Sequence, residues 1–368
     1  MNILLAIDSF KGCLSSAEAE SAAAGGIRGI IPDAHLTCIP VSDGGEGMLE
    51  AFAAALNATF VCLEVANPLG QTVIARYAIT PDRTTAIIEM AQAAGLTLNP
   101  PGERDPIRAN TYGVGQLIAD AVSRGCSRVI VGLGGSATTD GGRGALEALG
   151  LKVTNDNIDD TEFLLNNHPV EVVLACDVDI PLCGPRGTAR NYAPQKGATP
   201  EQVALLERHL QHWAHLVERR TGSDYANVAG AGAAGGLAFG LIAFARARIQ
   251  PGAELLFELL DFDKHIRASH LIVTGEGSAD SQTLSGKLPY RVLQHAVRHN
   301  VPCALIAGQV RDRESLLQAG FSAVESINPA DMPVEQCLRP DIARQNIAVT
   351  LQTILRQCVD SKTKCKTL

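Results

Sequence analysis

The sequence has few aromatic residues, only 4% of its 368 residues, and a single tryptophan. Glycine is far more frequent, with 35 residues, and 46% of the chain is hydrophobic when alanine and cysteine are counted. A core of Val, Ile, Leu and Ala, with glycine where the backbone turns or approaches a ligand, is typical of α/β enzymes. A chain of this length can bury a large core, and we expect two lobes.

Positive charge is also scarce. The formal net charge is −8, so the sequence lacks the basic surface that nucleic-acid binding requires. The ten cysteines include no Cys-x-x-Cys pair, which argues against a zinc cluster or a disulfide scaffold and favours reduced, mostly buried thiols. His209, His212 and His215 lie three apart in a helical segment, and because successive steps turn around the axis, we do not expect them to bind one metal.

A long, strongly hydrophobic run is missing as well. The N-terminal apolar run covers only Ile3 to Ile7 and has no basic leader, so we expect a cytoplasmic protein that does not contact a membrane. The uncharged segment 228–245 reaches eighteen residues, but its five glycines and many alanines make it weakly hydrophobic. We interpret this segment as a glycine-rich loop that leads into a buried helix.

Short continuous apolar runs recur along the chain, and each is followed by glycine together with a polar residue. The runs begin at Ile3, Cys38, Val129, Val172, Leu271 and Ala304. Continuous hydrophobicity is typical of strands buried on both faces, and the helical patterns between the runs indicate parallel sheets. Because ligands of such sheets lie beyond the carboxyl ends of the strands, we expect the active site there.

Residues 59–80 break this pattern, since two β-rich runs around an Asn-Pro-Leu-Gly turn predict a hairpin. We place one lobe boundary near this hairpin and the return crossing near Pro251. The predicted fold class is therefore α/β with two lobes. Residues 1–60 and 250–368 would form a discontinuous Rossmann-like lobe, a parallel sheet with helices on both faces, and residues 61–249 an inserted mixed α/β lobe.

The segment from Gly132 to Gly144 is the strongest candidate for phosphate binding. It holds six glycines in thirteen residues, follows a predicted strand and precedes a helical pattern. Backbone N–H groups of Gly134, Gly135 and Ser136 can then face an anion together with the positive end of a helix. Asp140 adds a possible Mg²⁺ ligand. A sharp structural turn is the alternative interpretation.

Polar residues also follow the first two apolar runs. They are Asp8, Ser9 and Lys11 after the first run, and Asp43, Gly44, Gly45 and Glu46 after the second. Carboxylates among glycines suit a metal or base site, and lysine suits an anion. An ion pair and a tight turn are the alternatives that the spacing leaves open.

Two later segments supply further candidates. Lys196 can neutralise charge on a transferring phosphoryl group, while Asp177, after a predicted strand, can hold Mg²⁺ or accept a hydroxyl proton. Glu276 and Asp280 form the last acidic motif. The following pair Gly286–Lys287 does not complete a Walker A loop, because the required earlier glycine and later hydroxyl are missing.

Residues 230–235 match the Gly-x-Gly-x-x-Gly fingerprint of dinucleotide-binding proteins. The residues before it, 223–227, do not have a strand pattern, which the fingerprint requires. A nicotinamide-dependent dehydrogenase is therefore a distant alternative, and close packing of the backbone explains the glycines better.

Seven motifs, in this order along the chain, resemble those of the bacterial class I glycerate kinases. They are AIDSFKG from Ala6, VSDGGEG from Val41, GLGGSATTDGG from Gly132, ACDVDIPLCGP from Ala175, APQKGATP from Ala193, GAGAAGG from Gly230 and TGEGSADSQTLSGK from Thr274. The resemblance spans nearly the whole chain. It implies phosphorylation of D-glycerate by ATP with Mg²⁺, at the 2-hydroxyl, in a cleft between two α/β lobes.

The resemblance also implies roles for the candidate residues. Carried over by position, we expect Lys11, Asp177 and Lys196 to be catalytic, Asp43 and Asp140 to bind the metal, and the following residues to bind substrate and phosphate: Asp8, Ser9, Gly44, Gly45, Glu46, Gly134, Gly135, Ser136, Glu276 and Asp280. The sequence does not divide the metal and base roles among Asp43, Asp140 and Asp177. The expected partners are thus glycerate and ATP, and the oligomeric state is left open.

This chain departs from the family pattern at a few positions. Where the family usually has Gly-Glu-Gly-Arg-Ile-Asp, this sequence has Ser278 and Ala279, and Gln309 stands where the family usually has serine. One lost arginine contact weakens anion binding by about 1.5–3 kcal/mol. A kinase of another small hydroxy acid or polyol is therefore the main alternative. A non-catalytic sensor is a third, although no DNA-binding helix-turn-helix is recognisable.

Overall fold

The computed structural model describes residues 1–41 and 47–365, and from residue 357 onward it describes the backbone only. The strands are β1 (Asn2–Ile7), β2 (His35–Cys38), β3 (Thr59–Ala66), β4 (Thr72–Ile79), β5 (Thr85–Glu89), β6 (Arg128–Gly132), β7 (Lys152–Val153), β8 (Ile158–Asp159), β9 (Glu171–Ala175), β10 (Arg248–Gln250), β11 (Leu271–Ala279), β12 (Cys303–Val310) and β13 (Ala323–Ser326). The α-helices are α1 (Ser16–Arg28), α2 (Met48–Ala55), α3 (Ala91–Ala94), α4 (Tyr112–Ser123), α5 (Arg143–Ala148), α6 (Leu164–Asn167), α7 (Thr188–Tyr192), α8 (Pro200–Thr221), α9 (Ala233–Ala245), α10 (Gly252–Leu259), α11 (Phe262–Arg267), α12 (Leu288–Arg298), α13 (Arg313–Gln318), α14 (Val334–Cys337) and α15 (Pro340–Cys365).

The chain forms two compact units. Met1–Asp43 and Ala253–Leu368 make up the first unit, and Gly44–Gly252 makes up the second. α2 belongs to the second unit, where it packs against β4 and β5. The predicted lobe boundaries near residues 60 and 250 stay a prediction.

The first unit is built on a five-stranded parallel sheet with the order β13-β12-β11-β1-β2. Helices α1 and α15 pack together over one face, where Leu5 and Val273 belong to the same buried cluster. Leu4 and Leu305 point to the other face and are also fully buried, so the sheet is covered on both sides. This arrangement confirms the predicted Rossmann-like sheet with helices on both faces.

The second unit contains a six-stranded mixed sheet with the order β10-β9-β6-β5-β4-β3. β5, β6, β9 and β10 run parallel, whereas β3 and β4 form the predicted antiparallel hairpin. Mixed sheets of this kind arise when a hairpin extends a parallel core. The prediction of a mixed α/β body with a hairpin is confirmed.

One predicted strand needs a correction. The apolar run that starts at Cys38 is not a strand, because β2 ends at that residue and Ile39–Val41 continue as a loop. Ile39 still donates a backbone hydrogen bond to Leu5 of β1, at 2.9 Å. Pro40 has no N–H to donate, so the ladder cannot continue through it.

Two helices begin with a capping box. Ser15 and Glu18 form a capping box at the start of α1, in which the Ser15 hydroxyl accepts the Glu18 N–H and the Glu18 carboxylate accepts the Ser15 N–H. Thr199 and Gln202 form the same motif at the start of α8. Each box satisfies two backbone donors that the first helical turn leaves unpaired.

The glycine-rich segment 228–245 is the predicted loop followed by a buried helix. Gly235 and Gly236 have φ angles of +69° and +88°, and a Cβ on Gly235 would lie 1.9 Å from the Thr138 carbonyl oxygen. Glycine is therefore required for a close approach to the loop after β6, and no strand precedes the motif. Within the described residues, no helix is long and apolar enough to cross a membrane.

The eight described cysteines are free, as predicted, but only Cys126, Cys176 and Cys303 are buried, and Cys38 and Cys62 are exposed. The expectation of mostly buried thiols is therefore wrong for part of the set. Cys62, for example, lies in β3, the edge strand of the six-stranded sheet, and is exposed although cysteine is usually buried.

Candidate functional site

The carboxyl edge of the first unit's sheet holds a cavity of about 940 Å³, which we call the sheet-edge cavity. From β1 the chain continues to β2, at one edge of the sheet. From β11 it continues in the opposite direction, to β12 and β13, so the strand order reverses between β1 and β11. Open parallel sheets bind ligands at such a reversal. Four predicted site residues meet here and line the cavity: Asp8, Ser9, Lys11 and Glu276.

Glu276 is the buried carboxylate of this cavity. Its Oε1 accepts a hydrogen bond from Thr283 Oγ1 at 2.6 Å, and its Oε2 lies 3.6 Å from Lys287 Nζ. Burial raises the pKa of Glu276 above its usual value, and the contacts with Thr283 and Lys287 oppose this rise. The wall therefore combines a shielded acid with an exposed ammonium group.

Asp280 organises the turn that carries Lys287. Its Oδ1 accepts the Gln282 N–H at 2.9 Å, and its own N–H donates to Thr283 Oγ1 at 3.1 Å. The short helix Thr283–Ser285 and Gly286, with a φ of +103°, complete this turn. Lys287 was missed as a site residue, although its place after a glycine in an acidic motif was a usable signal.

Two departures from the family pattern face each other in the sheet. Ser278 of β11 is the register partner of Gln309 of β12, and both line the sheet-edge cavity. The Gln309 side-chain oxygen accepts a hydrogen bond from Arg311 Nη2 at 3.0 Å. This part of the cavity rim is therefore formed by Ser278 and by Gln309, which is hydrogen-bonded to the Arg311 guanidinium group.

In the second unit, the glycine-rich loop follows β6 at the corresponding sheet edge. Gly135 has a φ of +72°, its carbonyl accepts the Leu96 N–H at 2.9 Å, and Ala137 donates to the Ala94 carbonyl at 2.9 Å. These bonds fix the backbone of Gly134–Ser136 against the segment after α3. The predicted phosphate loop is thus a rigid backbone turn at the end of a strand.

Lys196 lies beneath this loop and is only 2% exposed. Its Nζ donates to Ser136 Oγ at 2.9 Å and to the Thr138 carbonyl at 2.6 Å. Burial lowers the pKa of Lys196 to about 7, while the nearby Asp140 acts in the opposite direction. The ammonium group is therefore ready to gain or lose a proton near neutral pH.

Asp140 fixes the other end of the loop. Its carboxylate accepts four hydrogen bonds, from Thr111 N and Oγ1, each at 2.8 Å, and from Gly142 N and Gly144 N, each at 3.1 Å. Burial raises the pKa of Asp140, and these donors oppose the rise. The fully buried Thr111 was missed, because no motif marks a residue 29 positions before its partner.

Asp177 follows the end of β9, and Glu89 ends β5, which β6 separates from β9 in the sheet. Asp177 is exposed beyond β9, and its Oδ2 accepts the Gly252 N–H at 3.3 Å. Glu89, the last residue of β5, is buried and accepts the Gly47 and Leu49 N–H groups at the start of α2. Glu89 was missed, although an acidic residue that ends an apolar run is the same signal that found Asp177.

Some predicted residues cannot be placed. Asp43, Gly44, Gly45 and Glu46 lie outside the described residues. Among the side chains that the structure describes, no group of three or more His, Cys, Asp or Glu is arranged to hold a metal ion. His209, His212 and His215 of α8 therefore do not form such a group.

Comparison with known proteins gives a consistent result. The model of the glycerate kinase family matches residues 3–359. Glycerate kinase from Halalkalibacterium halodurans is 38% identical, over 94% of this chain and 97% of that protein, and glycerate 2-kinase from Escherichia coli is 38% identical, over 97% and 99%. A crystal structure of a candidate glycerate kinase 2 from Salmonella typhimurium LT2 has a TM-score of 0.89 and 36% identity, and the match covers 99% of each chain.

Proposed function

Because the chain belongs to the glycerate kinase family, we propose that it phosphorylates D-glycerate with ATP at the 2-hydroxyl, to give 2-phosphoglycerate, in the cytoplasm. Two observations support this proposal. The named relatives are kinases of glycerate, and the Escherichia coli protein is named a glycerate 2-kinase. The second unit also presents a rigid glycine-rich turn with a buried lysine, an arrangement suited to a phosphoryl group.

The observation that carries the mechanism is the position of Lys196. Its ammonium group is held at Ser136 and the Thr138 carbonyl, below the turn formed by Gly134 and Gly135. A phosphate that enters this turn would favour the protonated lysine, because opposite charges attract strongly away from solvent. Lys196 would then offset the negative charge that develops on the transferred phosphoryl group.

The residues of this site suit Mg²⁺ binding through one or two protein carboxylates. Mg²⁺ in kinases is held by one or two carboxylates together with the substrate phosphates, and it neutralises their charge. The Asp140 carboxylate already accepts four hydrogen bonds, so we assign it to anchoring the loop, in place of the metal role expected from the sequence. The exposed Asp177 would hold the ion or accept the proton of the 2-hydroxyl group.

The direct experiment is incubation of the protein with ATP, Mg²⁺ and D-glycerate, followed by phosphorus NMR of the product. A new 2-phosphoglycerate resonance is expected, whereas 3-phosphoglycerate would contradict the regiochemistry. Lys196→Met and Asp177→Asn should each lower kcat by roughly a hundredfold or more, while Lys152→Met, an exposed lysine of the same unit, should not.

Asp177→Asn also separates the two roles of this carboxylate. Loss of a metal ligand raises the Mg²⁺ concentration needed for half-maximal rate, whereas loss of a base lowers kcat at saturating Mg²⁺. Parent activity in both the Asp177 and the Lys196 variants would remove these residues from the catalytic set.

A second candidate is a kinase of another small hydroxy acid or polyol. It is favoured by two departures from the family pattern, Ser278 in place of the usual arginine and Gln309 in place of the usual serine, which face each other in neighbouring strands. A panel of acceptors assayed for ADP release distinguishes the two. A kcat/KM for another acceptor above that for D-glycerate would replace glycerate as the substrate.

A further inference from the structure

We propose that the sheet-edge cavity of the first unit is the nucleotide site, with the adenine base against its apolar wall and the phosphates toward Lys11 and Lys287. This inference rests on the proposed function for the identity of the phosphoryl donor. It adds which of the two units binds ATP and which side chains recognise each end of it.

The size of the cavity is the first argument. A volume of about 940 Å³ lies at the upper end of the range of roughly 300–1,000 Å³ that is usual for drug-sized ligands. A three-carbon hydroxy acid would leave most of this space filled with water. Of the two substrates of a kinase, the nucleoside triphosphate is the one large enough to fill this cavity.

The composition of one wall is the second argument. Met332, Val334 and Leu338, from α14 and the segments that flank it, line the cavity together with Phe10. Val334 is 72% exposed and Leu338 is 48% exposed, so the cavity presents two large apolar side chains to solvent. A flat base that packs against them would remove this surface from water.

The rim beside this wall is held rigidly. The Asn328 amide donates to the Gly308 carbonyl at 2.9 Å, and Ser326 Oγ donates to the Asn328 carbonyl at 3.0 Å. These bonds tie the end of β13 to the end of β12. A preformed wall limits the conformational entropy that a ligand loses when it binds.

Two lysines of the lining carry positive charge. Lys11 and Lys287 both line the cavity and are exposed, and Lys287 Nζ lies 3.6 Å from Glu276. Gly277 also lines the cavity, next to the backbone of Lys11, and a Cβ placed on it would meet no atom closer than 3.8 Å. This leaves room for phosphate oxygens next to the backbone and the two ammonium groups.

Isothermal titration of the full chain with ADP and with adenosine, without glycerate, tests the two ends separately. Lys287→Met should weaken ADP binding roughly tenfold and leave adenosine binding unchanged, because only ADP has phosphates. Leu338→Asp should weaken both ligands roughly tenfold. Lys264→Met, an exposed lysine of α11 outside the cavity, should bind as the parent does.

Two cysteines of the wall provide an independent footprint. Cys13 and Cys337 line the cavity and are partly accessible, whereas Cys62 is exposed in the second unit. At ADP ten times above its Kd, alkylation of Cys13 and Cys337 by iodoacetamide should slow roughly tenfold, because only about a tenth of the protein is unbound. Alkylation of Cys62 should not change.

The proposal is overturned if ADP binds both cavity variants with parent affinity, or if ADP leaves the alkylation of Cys13 and Cys337 unchanged. Both measurements are independent of turnover. Failure of the proposed function would appear differently, as ADP binding in this cavity without phosphorylation of D-glycerate.

Discussion

Replacing Lys196 by methionine should abolish a rise in stability with pH. Burial lowers the pKa of this lysine from 10.5 to about 7 in the folded protein. Between these two values the unfolded chain binds the proton and the folded chain does not, so the free energy of unfolding increases with pH. At about 1.36 kcal/mol per pKa unit, and with the folded lysine half protonated at pH 7, the rise amounts to about 2 kcal/mol by pH 9.

The single tryptophan makes this measurable in the second unit alone. Trp213 is buried and donates from Nε1 to the Gly141 carbonyl at 3.1 Å, within the glycine-rich loop. Urea unfolding followed by tryptophan fluorescence at a series of pH values therefore reports the region around Lys196. The difference between parent and Lys196→Met removes the contribution of the other titrating groups.

The matched control is Lys152→Met, which changes an exposed lysine of the same unit that pairs with Glu162. This variant should keep the pH dependence of the parent. Equal slopes in the parent and Lys196→Met would refute the reasoning, because they would mean that the buried lysine keeps the same pKa in the folded and unfolded chain.

Three further variants test local features of the fold. Gly235→Ala should destabilise the second unit by about 3 kcal/mol, since its Cβ would lie 1.9 Å from the Thr138 carbonyl oxygen, and urea unfolding followed by tryptophan fluorescence measures this. Gly222→Ala has a similar φ of +74° but no atom within 4 Å, so a loss as large as that of Gly235→Ala would contradict the packing argument. Ser15→Ala should cost about 1 kcal/mol by removing the cap of α1, and an unchanged thermal midpoint by circular dichroism would exclude this contribution.

Much of the fold could be predicted because its signals are local. The apolar runs at Ile3, Val129 and Leu271 are strands, since a strand covered on both faces needs hydrophobic residues at every position. The prediction of a strand from Cys38 onward was wrong. Pro40 has no N–H for the hydrogen-bond ladder, so the strand ends there even though the neighbouring residues are hydrophobic.

The candidate site was predicted in part. Lys196 and Ser136 were both singled out from their motifs, but their contact over 60 positions could not be derived from either motif. Thr111 had no motif at all, and its hydroxyl and N–H hold Asp140. Such partners are selected by packing, which a sequence pattern of a few residues does not contain.

The sequence by itself determined the α/β class, the hairpin and the polar groups at strand ends, because each depends on neighbours within a few residues. Only the tertiary structure decided that Ser278 and Gln309 face each other, that Lys196 is buried with a pKa of about 7, and that Asp140 is engaged by four donors. The physical reason is that register, burial and charge environment are set by residues far apart in the chain.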